Sequence, residues 1–278
     1  MEKSMKIMQI QTHVYSEKKK NLQQLEQILE NAAVEKPDLV TVGEMFVCPY
    51  ETRLFPVYAE EERGETWKFL SGLAKKHGIW LQAGSIPEKD ADGRVYNTAY
   101  VFDREGREAA RHRKMHLFDI AIQGGQQYKE SETLSAGDSF TVFDTEFGRI
   151  GLMICFDIRF VELARILVQK GAQIILVPAA FNMTTGPAHW TLTFRSRALD
   201  NQCFMVGTSD ARNESAGYVA YGHSILTSPW GEVLGELDEK AGILITEIDP
   251  KECGRIREQL PILSARRLDC YRLEETER

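Results

Sequence analysis

Residues 139–181 decide the fold, and they run SFTVFDTEFGRIGLMICFDIRFVELARILVQKGAQIILVPAAF. The first half predicts a β-hairpin that turns at residues 145–148 and ends in the buried strand GLMICF. Residues 159–171 show helical spacing of apolar side chains and end at Gly171, after which QIILVPAAF predicts another buried strand. A strand, a helix and a further strand in this order are typical of α/β folds.

The same alternation continues in both directions from this stretch. Toward the N terminus, strands are predicted in MKIMQIQTHV (5–14), DLVTVGEMF (38–46), GIWLQAGSI (78–86) and RVYNTAYVFD (94–103), with helices over 22–32 and 65–77. Toward the C terminus, a helix is predicted over 188–201 and strands over 203–211, 222–231 and 242–250. No linker interrupts the pattern, so we expect a single domain over 1–278, built as a layered α/β sandwich.

Composition excludes several classes of function. The chain has 278 residues with 34 basic and 41 acidic side chains, and the net charge of −7 has the wrong sign for a nucleic-acid partner. No apolar run approaches the ~20 residues of a membrane-spanning helix, and the N-terminal residues lack the apolar run of a signal peptide. The five cysteines are far apart and form no CxxC pair, which indicates neither a disulfide framework nor a zinc cluster. We therefore expect a cytoplasmic protein that binds no membrane.

Cys155 is the first candidate for chemistry. It lies where an apolar strand meets the start of a helix, a position at which unpaired N–H groups and the helix dipole lower the pKa of a thiol. A buried structural cysteine is the competing interpretation. A Cys–His hydrolase would need His189 or His223 as its base, but that scheme leaves Glu44 unexplained.

Charged residues in unusual places give further candidates. Glu44 interrupts the apolar strand LVTVGEMF, where a carboxylate must be paired or have a raised pKa, as a general base requires. Lys114 ends the basic run RHRK, and local sequence alone favours a solvated surface charge. His112 and His116 are four residues apart, which suits a metal if they lie on a helix, but the basic run would repel a cation. We interpret both as hydrogen-bonded or solvated and predict no metal.

The motifs VTVGEMF, RHRKMHLFD and GLMICFDIRFVELAR, in this order, make the chain resemble the nitrilase superfamily of carbon–nitrogen hydrolases. The segments CPYETRLFPVYAE, ESETLSAGDSF and FNMTTGPAHW are similar to those of its omega-amidases. The resemblance implies a four-layer α-β-β-α sandwich, a catalytic set of Glu44, Lys114 and Cys155, and a second glutamate, Glu130, that holds the lysine. The chain departs from many relatives in two places: the Gln/Gly-rich stretch DIAIQGGQQYKES, and VELAR, where many relatives have a Pro-Glu pair.

The resemblance also implies a reaction. Cys155 would attack a carboxamide while Glu44 moves the protons, and the oxyanion would be bound by Lys114 and the backbone N–H of Phe156. No cofactor is implied. The expected substrates are small dicarboxylic acid monoamides of the 2-oxoglutaramate or 2-oxosuccinamate type, with Phe118, Phe181, Thr185 and Arg159 as candidate binding residues.

Other functions remain open at this point. A different superfamily activity, on a nitrile, a carbamoyl amine or another amide, would share the same three residues. A non-catalytic relative that assembles through the sandwich is also possible in principle, although it would not need Cys155 or Glu44. The family resemblance implies a homodimer or a larger homo-oligomer. Arg195 is a further arginine that could bind a carboxylate, with a structural ion pair as its competing role.

Overall fold

Two β-sheets lie face to face between two layers of helices in the computed structural model, which describes residues 4–123 and 126–276. Gly124 and Gly125 of the Gln/Gly-rich stretch lie outside the described residues. The elements, in chain order, are β1 (Met5–Gln11), α1 (Lys18–Asn31), β2 (Leu39–Val42), α2 (Phe55–Tyr58), β3 (Glu60–Glu61), α3 (Glu65–His77), β4 (Trp80–Gln82), β5 (Ile86–Lys89), β6 (Val95–Phe102), β7 (Glu108–Arg113), β8 (Asp119–Ala121), β9 (Gln127–Lys129), β10 (Thr141–Thr145), β11 (Gly148–Leu152), α4 (Val161–Gln169), β12 (Ile174–Ala179), α5 (Gly186–Asn201), β13 (Phe204–Ser209), β14 (Ile225–Thr227), β15 (Val233–Glu236), β16 (Gly242–Ile248) and α6 (Glu252–Gln259).

The two large sheets differ in strand order. The first runs β16-β1-β2-β4-β6-β5-β3, with β7 also paired to β6, and β1, β2 and β4 are parallel to one another. The second runs β10 to β15 in sequence order, with β11, β12 and β13 parallel and the outer strands antiparallel. A separate two-stranded sheet is formed by β8 and β9. Each large sheet therefore has a parallel centre, which needs helices to cover its outer face.

The helices supply that cover. Helices α1 and α3 contact each other, and α3 also contacts β4 and β6 of the first sheet. Helices α4 and α5 contact each other and pack on β11, β13 and β14 of the second sheet. Helix α4 buries Leu163, Ala164 and Leu167, which are spaced along one helical face. The result is the predicted four-layer α-β-β-α sandwich.

The inner faces of the sheets meet through β1, β2, β12 and β13. This interface is mainly apolar, but it includes a hydrogen bond of 2.6 Å between the hydroxyls of Thr41 and Thr208. The Gln9 side-chain amide donates to the Gly207 carbonyl at 2.8 Å. Because buried polar groups cost free energy unless they are paired, these bonds favour one alignment of the two sheets. That alignment brings the residues that follow β2 and β12 together.

Most predicted elements are confirmed, and several bounds change. The helix over 65–77, the hairpin turn at 145–148 and the helices after Cys155 and after Thr185 are present. GIWLQAGSI is not one strand, because β4 ends at Gln82 and β5 begins at Ile86. Strands β7 and β15 were not predicted. None of the helices in the described parts of the chain is long and apolar enough to span a membrane.

Candidate active site

Glu44 lies just beyond the end of β2 and is fully buried between the two sheets. Its Oε1 accepts hydrogen bonds from Asn97 Nδ2 at 2.8 Å, Lys114 Nζ at 2.9 Å and the Tyr50 hydroxyl at 3.0 Å. Its Oε2 accepts from the backbone N–H of Ala180, which follows β12, at 3.0 Å. Burial raises the pKa of Glu44 above its usual value even though the ammonium of Lys114 opposes the shift. A raised pKa makes this carboxylate a stronger base than an exposed glutamate.

Lys114 follows β7 and has no exposed surface, so the prediction from local sequence that it is a solvated charge is wrong. Its ammonium lies 2.9 Å from Glu44 and 2.9 Å from Glu130, with a longer bond of 3.2 Å to the Tyr50 hydroxyl. Burial acts to lower the pKa of Lys114, but the carboxylates of Glu130 and Glu44 hold it well above its usual value. The ammonium therefore stays charged between two carboxylates.

Glu130 is also fully buried, at the first residue of a single helical turn after β9. Besides Lys114, its carboxylate accepts from the backbone N–H of Phe118 at 2.7 Å and from the Tyr50 hydroxyl. Local sequence alone would have placed this residue on the surface. The bonds to Phe118 and Tyr50 fix the carboxylate, and the carboxylate in turn fixes the ammonium.

Tyr50 and Asn97 belong to the same cluster, and sequence reasoning missed both. The Tyr50 hydroxyl lies within hydrogen-bond distance of the carboxylates of Glu44 and Glu130 and can donate its single proton to either one, and its ring packs 4.6 Å from that of Tyr218. Asn97 lies in β6, on a fully buried face of the sheet. A polar amide in the apolar strand VYNTAYVF was the available signal, because such a group needs a partner in the core.

Cys155 begins the five-residue turn Cys155–Arg159 that joins β11 to α4. Its φ of 44° lies in the left-handed region, and so does the φ of 52° at Met45, the residue after Glu44. Conformations of this kind cost on the order of 1–3 kcal/mol in a non-glycine residue and persist where the surrounding structure enforces them. The strain therefore lies at Cys155 itself and at the residue that follows Glu44.

Burial raises the pKa of the Cys155 thiol well above its usual value, and the negative charge of Glu44 adds to the effect. The prediction that a helix N-terminus lowers this pKa is wrong. The turn is short, while the thiol is buried and faces a carboxylate, and both of these surroundings disfavour a thiolate. Lys114 and the Ala180 backbone N–H oppose the shift without reversing it. Cys155 is therefore a thiol at rest, and Glu44 is placed to receive its proton.

Asp157, in the middle of the turn, anchors it to the segment that follows β7. Its carboxylate accepts from the backbone N–H groups of Ile154 and His116, at 3.0 and 2.9 Å, and lies within 3.1 Å of ring nitrogens of His112 and His116. Burial acts to raise the pKa of Asp157, but these bonds hold it well below its usual value. Because His112 lies in β7 and not on a helix, the helical spacing considered for a metal pair does not exist.

The end of the turn carries the candidate recognition residues. The Arg159 side chain is half-buried, and its guanidinium lies 4.7 Å from the centre of the Phe181 ring, 5.7 Å from that of Phe156 and 3.1 Å from His189 Nδ1. Within 4–123 and 126–276 it forms no ion pair with a carboxylate. Burial lowers its pKa, while Cys155 and Tyr218 are near enough to oppose that shift. A guanidinium without a carboxylate partner among the described residues thus lies near Cys155.

The remaining predicted residues divide into two groups. The Phe118 ring packs against Phe156 at 5.2 Å, which places both in the aromatic wall of the site. As Phe156 is the second residue of its turn, its N–H lies among those that a helical turn leaves without an internal acceptor. Thr185 instead donates both its N–H and its hydroxyl to the Asn182 side chain, so its observed contacts are structural.

Three other side chains considered from sequence lie outside this cluster. Arg195 donates to the Gly231 carbonyl at 2.8 Å, a structural contact on α5. His189 contacts Arg159, and His223 lies 3.5 Å from Glu236. The group that interacts with the Cys155 thiol is Glu44, which does not favour a Cys–His pair.

Comparison with known proteins agrees with this arrangement. The sequence profile described as carbon-nitrogen hydrolase matches residues 6–258. The omega-amidase of Xenopus laevis is 48% identical over 270 residues, covering 97% of this chain and 98% of the relative, and that of Homo sapiens is 45% identical over 271 residues, covering 98% of each. A Saccharomyces cerevisiae member of branch 10 of the nitrilase superfamily superposes with a TM-score of 0.88 at 39% identity, over 95% of this chain and 97% of that one. The chain therefore belongs to the carbon–nitrogen hydrolase family of the nitrilase superfamily.

Proposed function

We propose that the protein hydrolyses the terminal carboxamide of small dicarboxylic acid monoamides, of the 2-oxoglutaramate or 2-oxosuccinamate type, to the acid and ammonia. The observation that carries this proposal is the pairing of a buried Cys155–Glu44–Lys114 cluster with an uncompensated Arg159 at the other end of the same turn. The cluster has the groups needed to cleave an amide, and Arg159 can bind the carboxylate at the other end of the substrate. The similarity to omega-amidases supports the same class of substrate.

Acylation begins with the neutral thiol of Cys155. As the sulfur attacks the amide carbonyl, its proton passes to Glu44, whose raised pKa makes it a competent base. Concerted transfer suits a buried site, because a free thiolate beside a carboxylate would place two unscreened negative charges together. Glu44 then returns the proton to the departing nitrogen, and a thioester with Cys155 remains.

The oxyanion of the tetrahedral intermediate needs donors that are already in place. The Lys114 ammonium has three N–H groups, of which two are bound to carboxylates at 2.9 Å and the third reaches Tyr50 at 3.2 Å. We assign this third and longest bond as the one exchanged for the oxyanion. The backbone N–H of Phe156 is the second donor. Glu130 is a positioning residue, since it acts by holding Lys114.

Deacylation uses the same residues in reverse roles. A water molecule replaces ammonia, Glu44 removes its proton, and the hydroxide attacks the thioester carbonyl. Collapse of the second intermediate returns the proton to the sulfur of Cys155 and releases the acid. Side chains and backbone groups carry every step, so the proposal includes no cofactor and no metal.

Arg159 would bind the carboxylate at the far end of the substrate. Its planar fork matches a carboxylate bidentately, and the Phe181 and Phe156 rings beneath it exclude water. Thr185 is proposed only as a neighbour of this subsite, because its own donors are already used. The distal carboxylate of such a substrate would supply the negative charge that no described residue provides to Arg159.

A homodimer or larger homo-oligomer, a cytoplasmic location and a single domain over 1–278 stay predictions. For the oligomer, α5 offers a surface on which Leu192 and Leu199 are exposed, seven residues apart and on one helical face. Exposed Trp230 precedes Gly231, which lies against Leu199. Exposed apolar groups of this size are typical of protein contacts.

The function is tested by ammonia release from five compounds under the same conditions: 2-oxoglutaramate, 2-oxosuccinamate, glutamine, a carbamoyl amine and a simple nitrile. The proposal expects the two oxo-acid monoamides to give the highest kcat/KM. Preference for the carbamoyl amine or the nitrile would move the protein to another activity of the superfamily. No turnover of any compound by folded protein would favour a non-catalytic role.

A further inference from the structure

A cavity of about 50 Å³ adjoins the candidate active site. Tyr50, Ala180 and Tyr218 line it, and the first two of these also hold Glu44. At its other end it reaches the half-buried Asn213 and the exposed Gly217 in the loop after β13. A space of this size admits a few molecules as small as water or ammonia and excludes the amide substrate.

Asp210 lines this cavity in an unusual state. The residue is 6% exposed, and among the described residues no hydrogen bond reaches its carboxyl group, whose Oδ1 is completely buried. The carboxyl approaches the backbone next to Glu44 so closely that a Cβ on Gly43 would lie 2.3 Å from Oδ1. A buried carboxyl group without a hydrogen-bond partner is unfavourable, so a ligand in the cavity that paired with it would be stabilised.

The electrostatics agree with a neutral acid at this position. Burial raises the pKa of Asp210 well above its usual value, and the nearby negative charge of Glu44 adds to the shift. The other buried titratable side chains in the cavity wall are Cys48, Tyr50 and Tyr218, and burial raises the pKa of each, so all three are neutral. A second carboxyl group, that of Glu51, also lines the cavity, but it is paired with Arg53 at 2.8 Å. Asp210 is therefore the carboxyl group of the lining that has no partner among the described residues.

We propose that this cavity is the exit site for the ammonia released from the amide, which Asp210 captures as ammonium. The inference rests on the proposed function, because ammonia is its product. Capture is a proton transfer: the Asp210 carboxyl group gives its proton to ammonia, leaving a carboxylate and an ammonium ion as a pair. When the ammonium leaves past Asn213 and Gly217, a proton from solvent restores the acid.

This step has a consequence for the reaction. Free ammonia next to the thioester is a nucleophile that would re-form the amide, whereas ammonium has no lone pair and cannot attack. When ammonia leaves the vicinity of Cys155 and is protonated, water is left as the nucleophile that attacks the thioester. A cavity that is too small for the substrate but large enough for its smallest product is suited to this separation.

Ammonium binding can be measured without turnover. We would titrate ammonium chloride into the Cys155→Ala variant at mildly alkaline pH, hold ionic strength constant with sodium chloride, and follow the thermal unfolding midpoint. The proposal expects a saturable rise with ammonium that sodium and the oversized tetramethylammonium do not give. Asp210→Asn, which keeps the shape but cannot form the pair, should weaken ammonium binding by at least ~10-fold, which is about 1.4 kcal/mol.

A second variant tests the cavity without altering the carboxyl group. Ala216→Leu fills the half-buried rim and should also remove the ammonium effect, which matters if Asp210→Asn fails to fold. A third measurement uses active enzyme with Cys155 intact. During turnover in ¹⁵N-ammonium, the ratio of ¹⁵N incorporation into the remaining amide substrate to hydrolysis should be several-fold higher for Asp210→Asn than for wild type.

The outcomes separate the two proposals. If ammonium acts no differently from sodium, the cavity holds only water and the exit site is wrong. If both variants keep the ammonium effect, the ion binds elsewhere and the proposal also fails. Amide turnover without ammonium binding contradicts this inference alone, whereas the absence of amide turnover contradicts the proposed function, whatever the titration shows.

Discussion

Cys155 and Arg159 lie at opposite ends of one five-residue turn, yet the polar groups around them are satisfied to different degrees. At the Cys155 end, Glu44, Lys114 and Glu130 are fully buried and saturate one another with hydrogen bonds. At the Arg159 end, a half-buried guanidinium contacts two aromatic rings and a histidine but no carboxylate of the described residues. The groups to which we assign the reaction are therefore fixed by one another, whereas the proposed recognition group lacks a counter-charge, which the proposed substrate would bring.

Replacing the nucleophile should have the largest effect. Cys155→Ala should reduce ammonia release to background, because no other group at the Cys155 end can form the thioester. Mass spectrometry of the wild-type enzyme, quenched during turnover, should locate an acyl adduct on Cys155. Ordinary activity in the variant, or an adduct on buried Cys203, would contradict the mechanism. Cys203→Ala is the matched control and should keep its activity.

Glu44→Gln should be the next most damaging change. The amide keeps the shape of the carboxylate, and its single oxygen can still accept from Asn97, but the side chain cannot take up a proton. Both half-reactions should therefore slow by several orders of magnitude. Rapid-quench measurement of acyl-enzyme separates the two. A variant that acylates at the wild-type rate would place the first base elsewhere.

Lys114→Ala should lower both the rate and the stability. Losing an oxyanion donor costs about 100- to 1000-fold in kcat. Removing one partner of a buried ion pair leaves Glu44 and Glu130 uncompensated, which costs about 3–5 kcal/mol of unfolding free energy. Steady-state kinetics and urea unfolding measure the two effects separately. Normal stability with reduced kcat would mean that the carboxylates are satisfied without the lysine.

Arg159→Gln probes the recognition end and should change specificity more than chemistry. Truncating a desolvated charge that pairs with a ligand costs about 2–5 kcal/mol, so kcat/KM for an oxo-dicarboxylic acid monoamide should fall by roughly 30-fold to several thousand-fold. For the monocarboxylic amide of equal length, kcat/KM should hardly change. Arg195→Gln, which removes an arginine bound to the Gly231 carbonyl, is the control. Equal losses on both substrates would show that Arg159 only supports the turn.

The sequence predicted the fold better than it predicted the contacts within the candidate active site. Periodicity located most helices and strands, and the sandwich followed once the motifs around Glu44, Lys114 and Cys155 indicated the superfamily. The hydrogen-bonded partners were harder, because Tyr50 and Asn97 come from separate segments and meet Glu44 only after the first sheet has formed. Local sequence also placed Lys114 and Glu130 at the surface, since a charge near a basic or acidic run is usually solvated.

The sign of the Cys155 pKa shift shows the same limit. A strand that ends at a helical turn suggested a lowered thiol pKa, but the shift depends on a carboxylate 111 positions away along the chain and on complete burial. Neither is visible in the local pattern. Asp210 is a similar case, because its lack of partners depends on the cavity formed by Tyr50, Ala180 and Tyr218.

The smallest expected effect concerns Asp157, which supports both ends because it anchors the middle of the turn. Its folded-state pKa is lowered, so its contribution to stability is complete above the unfolded-state value of about 3.9 and is lost as pH falls through the folded-state value. Asp157→Asn should therefore cost about 1.5–3 kcal/mol at neutral pH, and the difference from wild type should narrow as pH drops below about 3.9.

Urea unfolding of both proteins across this pH range measures the difference. Asp144→Asn, at an exposed carboxylate paired with Arg149, is the control and should leave stability nearly unchanged. A gap between Asp157→Asn and wild type that stays constant into acid would mean that the turn is held by packing and not by the carboxylate. The expected result is that the difference in unfolding free energy narrows in acid, while kcat falls and KM rises in Asp157→Asn. Asp157 would then position both Cys155 and the Arg159 guanidinium, so that the two ends of the turn depend on one anchor despite their different surroundings.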